Sequence, residues 1–225
     1  MRRVITTAVV CLCLFVVGPG FSNASVTPNF YGTWTSNEEA VVNAAAVEWS
    51  SLLTIPQNIS VAFSLADLGG TTLAESMAPG AVSGLPTVAL ISVSTSLPIS
   101  WNLNNPVSGE YDALTIVEHE LGHALGFAYQ QNLRYYADVS VVSGNAYIDG
   151  YQLYGTDDAG KSHMADPSDL MYPFASFDVR TAPSYADVQI LSSVYGYTIN
   201  AVPESASLLL LGPGLVGLLA FRRRV

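Results

Sequence analysis

The sequence predicts an α+β domain, on three observations. Capped, helix-patterned segments recur at 36–53, 111–125 and 184–195. Between the first two lie stretches at 59–65 and 87–95 that alternate or are rich in β-branched residues, which is strand chemistry. The intervening segments carry the Gly, Pro and Asn of turns and loops, with no internal repeat and no low-complexity linker.

The first helix is signalled by Ser36-Asn37-Glu38-Glu39, a capping-box pattern in which the Ser36 hydroxyl accepts from the Glu39 amide and Glu39 reaches back. It is expected to run to about Leu53 with Val41, Ala44, Ala45, Val47 and Leu52 toward the core. Ile55-Pro56 ends it, because a residue before proline is pushed out of the helical region. Ile59 to Leu65 alternates as a strand, Asp67-Leu68-Gly69-Gly70 is turn chemistry, and Thr87 to Thr95 is a second strand. Residues 98–110, with Pro98 and Pro106, read as an edge strand or a loop. Tyr111 to Leu125 is the clearest helix, apolar around much of its circumference as a buried helix is, and Gly126 suits a left-handed cap. A mixed region covers 127–162. Pro183-Ser184 then opens a last helix that runs to about Tyr195 and stops at Gly196.

The two ends differ from this domain. Arg2 and Arg3 precede an apolar run from Val4 to Val17, and Ser22-Asn23-Ala24 places small residues where a signal peptidase reads. Residues 1–24 are therefore expected to be a removed signal peptide and 25–200 the folded domain. The 2 cysteines, Cys11 and Cys13, both fall in the signal. A chain cut after Ala24 thus excludes disulfides, thiolate ligands and a cysteine nucleophile. Five of the 8 basic residues sit in the tails: Arg2, Arg3, Arg222, Arg223 and Arg224. Between 25 and 202 only Arg134, Lys161 and Arg180 stand against 17 of the 18 acidic residues, which argues against nucleic acid or an anionic membrane surface as partner.

His119-Glu120-Leu121-Gly122-His123 carries the chemistry. Histidines four apart on a helix project from one face within reach of one metal ion. Glu120 is placed to take a proton from a water activated there. Neutral imidazole suits zinc, but two histidines do not complete a site: catalytic zinc needs a third protein ligand and one open position. Of the chain's 3 histidines the remaining one is His163, in His163-Met164-Ala165-Asp166-Pro167-Ser168-Asp169-Leu170-Met171-Tyr172-Pro173.

His119 to Gly126 followed by Asp169-Leu170-Met171-Tyr172-Pro173 resembles the metzincin metallopeptidases. The resemblance covers most of 27–200 in order and is specific over 111–127 and 163–196, where the last helix is similar to that of matrixin-like domains. It implies a twisted mixed sheet with an active-site helix and a C-terminal helix. It also implies a glycine, Gly126, that turns the chain toward a third ligand, and a turn under the metal that contains Met171. The common pattern places the third histidine where this chain has Tyr129. A tyrosine must give up a proton with a pKa of about 10 before it ligates, whereas imidazole need not. The delayed position of His163 is similar to the leishmanolysin-like branch, which carries an insertion there. His163 is therefore the expected ligand, with Tyr129, Asp157 and Asp166 as alternatives.

The resemblance implies a zinc metalloendopeptidase acting on peptide or protein substrates. His119, His123 and His163 would hold one catalytic zinc ion, and Glu120 would be the general base. An edge strand before the active-site helix would pair an extended substrate, and Pro173-Phe174 would line the pocket beyond the cleaved bond. The alternative from another class is a non-catalytic surface or biofilm-matrix protein that retains a structural zinc. No G-x-S-x-G supports a serine hydrolase. Calcium at acidic loops such as Asp157-Asp158 has no ligand pattern behind it.

Ser205 to Phe221 is apolar or small throughout and is followed by Arg222-Arg223-Arg224. At about 1.5 Å per residue such a helix matches a short bilayer span, with the arginines on the cytoplasmic side. Val202-Pro203-Glu204, the span and the arginines together resemble a PEP-CTERM sorting signal of bacterial exosortase systems, with Ser205 where proline is usual. This implies that 201–225 is a sorting signal with a transmembrane helix over 205–221. Exosortase-type machinery would be its partner, and the exported chain would be transiently membrane-anchored at the cell surface.

Overall fold

The computed structural model describes residues 25–127 and 134–200. The expected signal peptide, the C-terminal tail with its 205–221 span, and Tyr129 lie outside the described residues. Among the described residues no helix is long and apolar enough to cross a membrane.

The domain is mixed α+β. Its elements in order are β1 (Val26–Tyr31), α1 (Ser36–Leu52), β2 (Leu53–Thr54), β3 (Ile59–Ala66), β4 (Ala74–Val82), β5 (Leu85–Ser94), β6 (Ile99–Ser100), β7 (Tyr111–Asp112), α2 (Ala113–Leu125), α3 (Tyr135–Asp138), β8 (Ser140–Val142), β9 (Asn145–Ile148), β10 (Tyr151–Gln152), α4 (Asp158–Lys161), α5 (Tyr185–Tyr195) and β11 (Thr198–Ile199). The main sheet has the order β1-β3-β5-β4, with β1, β3 and β5 parallel and β4 antiparallel to β5. The parallel β1–β3 pair needs a crossover, and α1 supplies it. Alternation along β3 and β5 buries Val61, Phe63, Ala89, Ile91 and Val93 on one face and leaves Val88 and Leu90 exposed on the other. The buried face joins a core shared with α1, α2 and α5.

α1 is capped one residue earlier than the sequence pattern indicates. Thr35, not Ser36, is the N-cap: its side chain accepts from the Glu38 amide at 3.4 Å, and Glu38 accepts from the Thr35 amide at 2.6 Å. The buried face also differs in part from the expected one. Val41, Val42, Ala45, Ala46 and Trp49 are buried, while Val47, expected in the core, is exposed. Trp49 is the keystone of this face, and its indole N–H donates to Glu118 O on α2 at 2.9 Å. Truncating a buried tryptophan to alanine costs about 3–5 kcal/mol.

Of the two expectations for 98–110, the structure shows mainly the loop. Residues 98–110 contribute only the two-residue β6, which pairs with β7, and the sheet edge beside β5 is β4. Pro79 and Gly80 hid this strand from a β-propensity reading. They sit where its register with β5 shifts between Met77 and Gly80, and edges and bulges tolerate these residues. α2 begins at Ala113, since Tyr111 and Asp112 are in β7. The mixed region forms a three-stranded antiparallel sheet, β10-β9-β8, between short helices. α5 follows the expected pattern: Ser184 and Asp187 form a capping box, and Gly196 takes the left-handed conformation at φ 72°. β11 then pairs antiparallel with β2, which fastens the end of the domain to the end of α1.

Candidate metal centre

α2 is anchored at both ends. At its start, Asp112 accepts from the Thr115 amide at 3.0 Å and takes two hydrogen bonds from Arg180, at 2.7 Å and 3.0 Å. Arg180 also donates to the carbonyls of Leu103 and Asn102, so one guanidinium ties two loops to the helix N-terminus. At the other end Gly126 has φ +125°, a positive angle wider than the left-handed helical region that was expected. Only glycine accommodates it readily. The Phe127 amide then bonds back to Gly122 O at 3.0 Å.

His119 and His123 stand one turn apart on this helix, and the structure brings His163 to them. The His119 and His163 rings stack at a centroid distance of 5.3 Å, and His123 stands nearly perpendicular to both. One ligand nitrogen from each ring lies within 4.8 Å of the others. The backbone holds His163 there: its carbonyl accepts from the Tyr154 amide at 2.8 Å, and the next residue, Met164, donates to Met171 O at 2.8 Å.

The tautomers follow from what the other ring nitrogens touch. Each Nδ1 faces a backbone carbonyl: Leu170 for His119 at 2.7 Å, Phe127 for His123, and Ala159 for His163 at 2.7 Å. A carbonyl only accepts, so each Nδ1 carries the proton and each Nε2 presents a bare lone pair. The Nε2 atoms of His119 and His123 lie 3.1 Å apart with no proton between them. Two lone pairs at that distance repel unless something electropositive sits at their focus. Nitrogens bound at about 2.0–2.1 Å to one tetrahedral ion are roughly 3.3 Å apart. The residues present therefore fit a divalent cation, with three neutral nitrogen donors oriented by their carbonyl partners.

Burial sets the charge state of the site. It lowers the His119 pKa to about 4, with His163 adding repulsion and the Leu170 hydrogen bond opposing. His123 is held well below its ordinary value by burial, then by His119 and His163, and His163 is lowered by burial. All three are neutral near pH 7, as ligation requires. Glu120 is buried, and desolvation, then the Glu75 charge, raises its pKa to about 8.

The other expected site residues are accounted for as follows. Met171 is fully buried, and a Cβ added at Gly122 would lie 2.5 Å from its Sδ, so the methionine packs on α2 between the two histidines. Pro173 is half-buried, and the exposed Phe174 packs edge-on against Tyr154 and Tyr172. Asp157 caps α4 through the Gly160 amide at 2.8 Å, and Asp166 accepts from the Ser168 amide at 2.9 Å. Neither belongs to the histidine group.

Sequence reasoning missed the partners that orient these ligands. The carbonyls of Leu170, Phe127 and Ala159 carry no sequence signal, because every residue has one. Arg180 and Asp112 were legible only in part: Asp112 is of the N-cap type, but nothing in the spacing joins it to Arg180. No protein-family model matches the chain, and no curated protein matches it significantly.

Proposed function

We propose that the domain is a zinc-dependent metalloendopeptidase of the metzincin type, exported and held at the cell surface through its C-terminal tail. One observation carries this reading: three imidazoles with bare Nε2 atoms converge, two of them on the helix that also carries the buried Glu120, next to His119 in sequence. Three neutral histidines are a donor set that zinc favours, and they leave a fourth position for a reacting molecule. Bound zinc would supply Lewis acidity, making water more acidic and a peptide carbonyl more electrophilic. In the metal-free site burial keeps Glu120 protonated below about pH 8; the charge of a bound cation would favour the carboxylate, which would accept the proton of the attacking water and return it to the leaving amine. The Leu170, Phe127 and Ala159 carbonyls hold the imidazoles in the tautomer that leaves Nε2 available. β4, the free edge antiparallel to β5, takes the substrate-pairing role that the sequence assigned to 98–110.

The test pairs metal analysis with proteolysis of an unfolded protein substrate. Wild type binds one zinc per chain and cleaves. Glu120→Ala binds zinc and loses most turnover, whereas His163→Ala loses zinc affinity and Tyr129→Phe does not. Full proteolysis by Glu120→Ala sinks the mechanism. One zinc per chain with no hydrolysis would support a structural metal in a surface protein instead.

A further inference from the structure

Three consecutive carbonyls close α2, and an aromatic side chain donates to each. The Tyr197 hydroxyl donates to Leu125 O at 3.0 Å, the Tyr195 hydroxyl to Gly126 O at 2.7 Å, and His123 Nδ1 to Phe127 O. The end of a helix leaves such carbonyls without intrahelical donors. Here the third donor is itself a proposed metal ligand. The two tyrosines are buried and stacked at a centroid distance of 5.4 Å. Burial raises both phenol pKa values, so each keeps its proton and remains a donor. A Cβ at Gly126 would overlap the Tyr195 ring, which places that ring directly against the turning peptide. The tyrosines are in turn anchored: the Gly196 amide donates to Ser192 O at 2.8 Å, and Ser192 Oγ donates to Tyr197 O at 2.6 Å.

We infer that Tyr195 and Tyr197 are positioning residues for His123: their hydroxyls fix the 125–127 backbone, and its last carbonyl fixes the orientation and tautomer of the imidazole. The inference rests on the metal-site reading. Without the Tyr195 hydroxyl, Gly126 O has no donor among the described residues, and the peptide turns to find one. That rotation carries Phe127 O away from His123 Nδ1. A purely structural tyrosine would lower the stability of the metal-free and metal-bound forms alike and leave ligand geometry unchanged.

The full-length chain is titrated with Zn²⁺ against a competing chelator and with Co²⁺ by visible absorption. Wild type is compared with Tyr195→Phe, Tyr197→Phe and Tyr151→Phe. The last loses a hydroxyl bonded to Gln189, away from α2. Tyr195→Phe and Tyr197→Phe are expected to weaken Zn²⁺ binding about tenfold, the lower end for residues that orient a ligand, and to shift the Co²⁺ bands. Tyr151→Phe keeps the wild-type affinity and spectrum. Unchanged affinity and bands in both α5-end variants would overturn the inference, as would an equal loss in Tyr151→Phe. If Tyr195→Phe fails to fold by circular dichroism, Tyr197→Phe decides. A wild-type chain that binds neither ion overturns the metal reading itself.

Discussion

Replacing Gly126 with alanine should destabilise the domain more than any other single-methyl addition near the site. Two costs add. An L-residue in the left-handed region loses roughly 1–2 kcal/mol, and φ +125° lies beyond the favourable part of that region. The added Cβ would also sit 2.5 Å and 2.7 Å from Cζ and the hydroxyl of Tyr195. That ring cannot swing aside freely, because it is 3% exposed and its hydroxyl is bound to the Gly126 carbonyl. Overpacking of this kind costs about 1–3 kcal/mol. The total is about 2–5 kcal/mol, a large share of the roughly 5–15 kcal/mol that holds a domain together. For a domain of this size each kcal/mol moves the unfolding midpoint by about 2–4 °C. Gly126→Ala should therefore melt roughly 4–20 °C lower, measured by circular dichroism on metal-free protein. A midpoint within about 2 °C of wild type would refute the reasoning, since it would mean that the turn relaxes without strain.

Three further outcomes follow from the same structure. Thr35→Ala should cost about 1 kcal/mol in denaturant unfolding, whereas Ser36→Ala should stay within about 0.5 kcal/mol, and the reverse order would restore Ser36 as the cap. Arg180→Met strands the Asp112 carboxylate, whose side chain is 0% exposed; since Arg180 is itself 25% exposed, the loss should be near the low end of the buried-pair range, about 3 kcal/mol. A loss under about 1 kcal/mol would show that Asp112 is held by its cap bonds alone. Asp187 is fully buried, and burial, with the Asp169 charge adding to it, raises its pKa to about 8 against an ordinary value near 4. Between those values the folded chain keeps a proton that the unfolded chain has lost. The stability contributed by Asp187 is therefore full below the unfolded value and is lost as pH rises toward 8. Glu118 and Glu120, also raised to about 8, act in the same direction. The three histidines, lowered by burial, act the other way below about pH 6.5, so the midpoint of metal-free protein should drop between about pH 6.5 and pH 8, and Asp187→Asn, which mimics the protonated carboxyl, should shrink that drop. An identical drop in the variant would exclude Asp187 as a source.

How much was legible depended on how local the signal was. The span of α5 follows from Pro183-Ser184 and Gly196, which lie beside the helix. The α1 cap was misread by one residue because Thr35 and Ser36 both have hydroxyls with a glutamate three residues on, and the choice depends on where the chain leaves β1. β4 was missed because Pro79-Gly80 looks like a turn. It is a strand only because β5 is present to pair with it.

The sequence by itself determined the α+β class, the buried helix and the two-histidine spacing on it, because caps and i,i+4 geometry act over a single turn. It also carried the third histidine as an expectation. Only the tertiary structure decided that His163 reaches His119 and His123 while Asp157 and Asp166 are occupied elsewhere. Only it showed that Leu170, Phe127 and Ala159 set the tautomers, and that Tyr195 and Tyr197 close the end of α2. Those contacts include bonds between residues 51, 69 and 72 positions apart, which no local pattern encodes. They exist because burying the core brings distant carbonyls and donors together, and a buried carbonyl without a donor is too costly to leave unpaired.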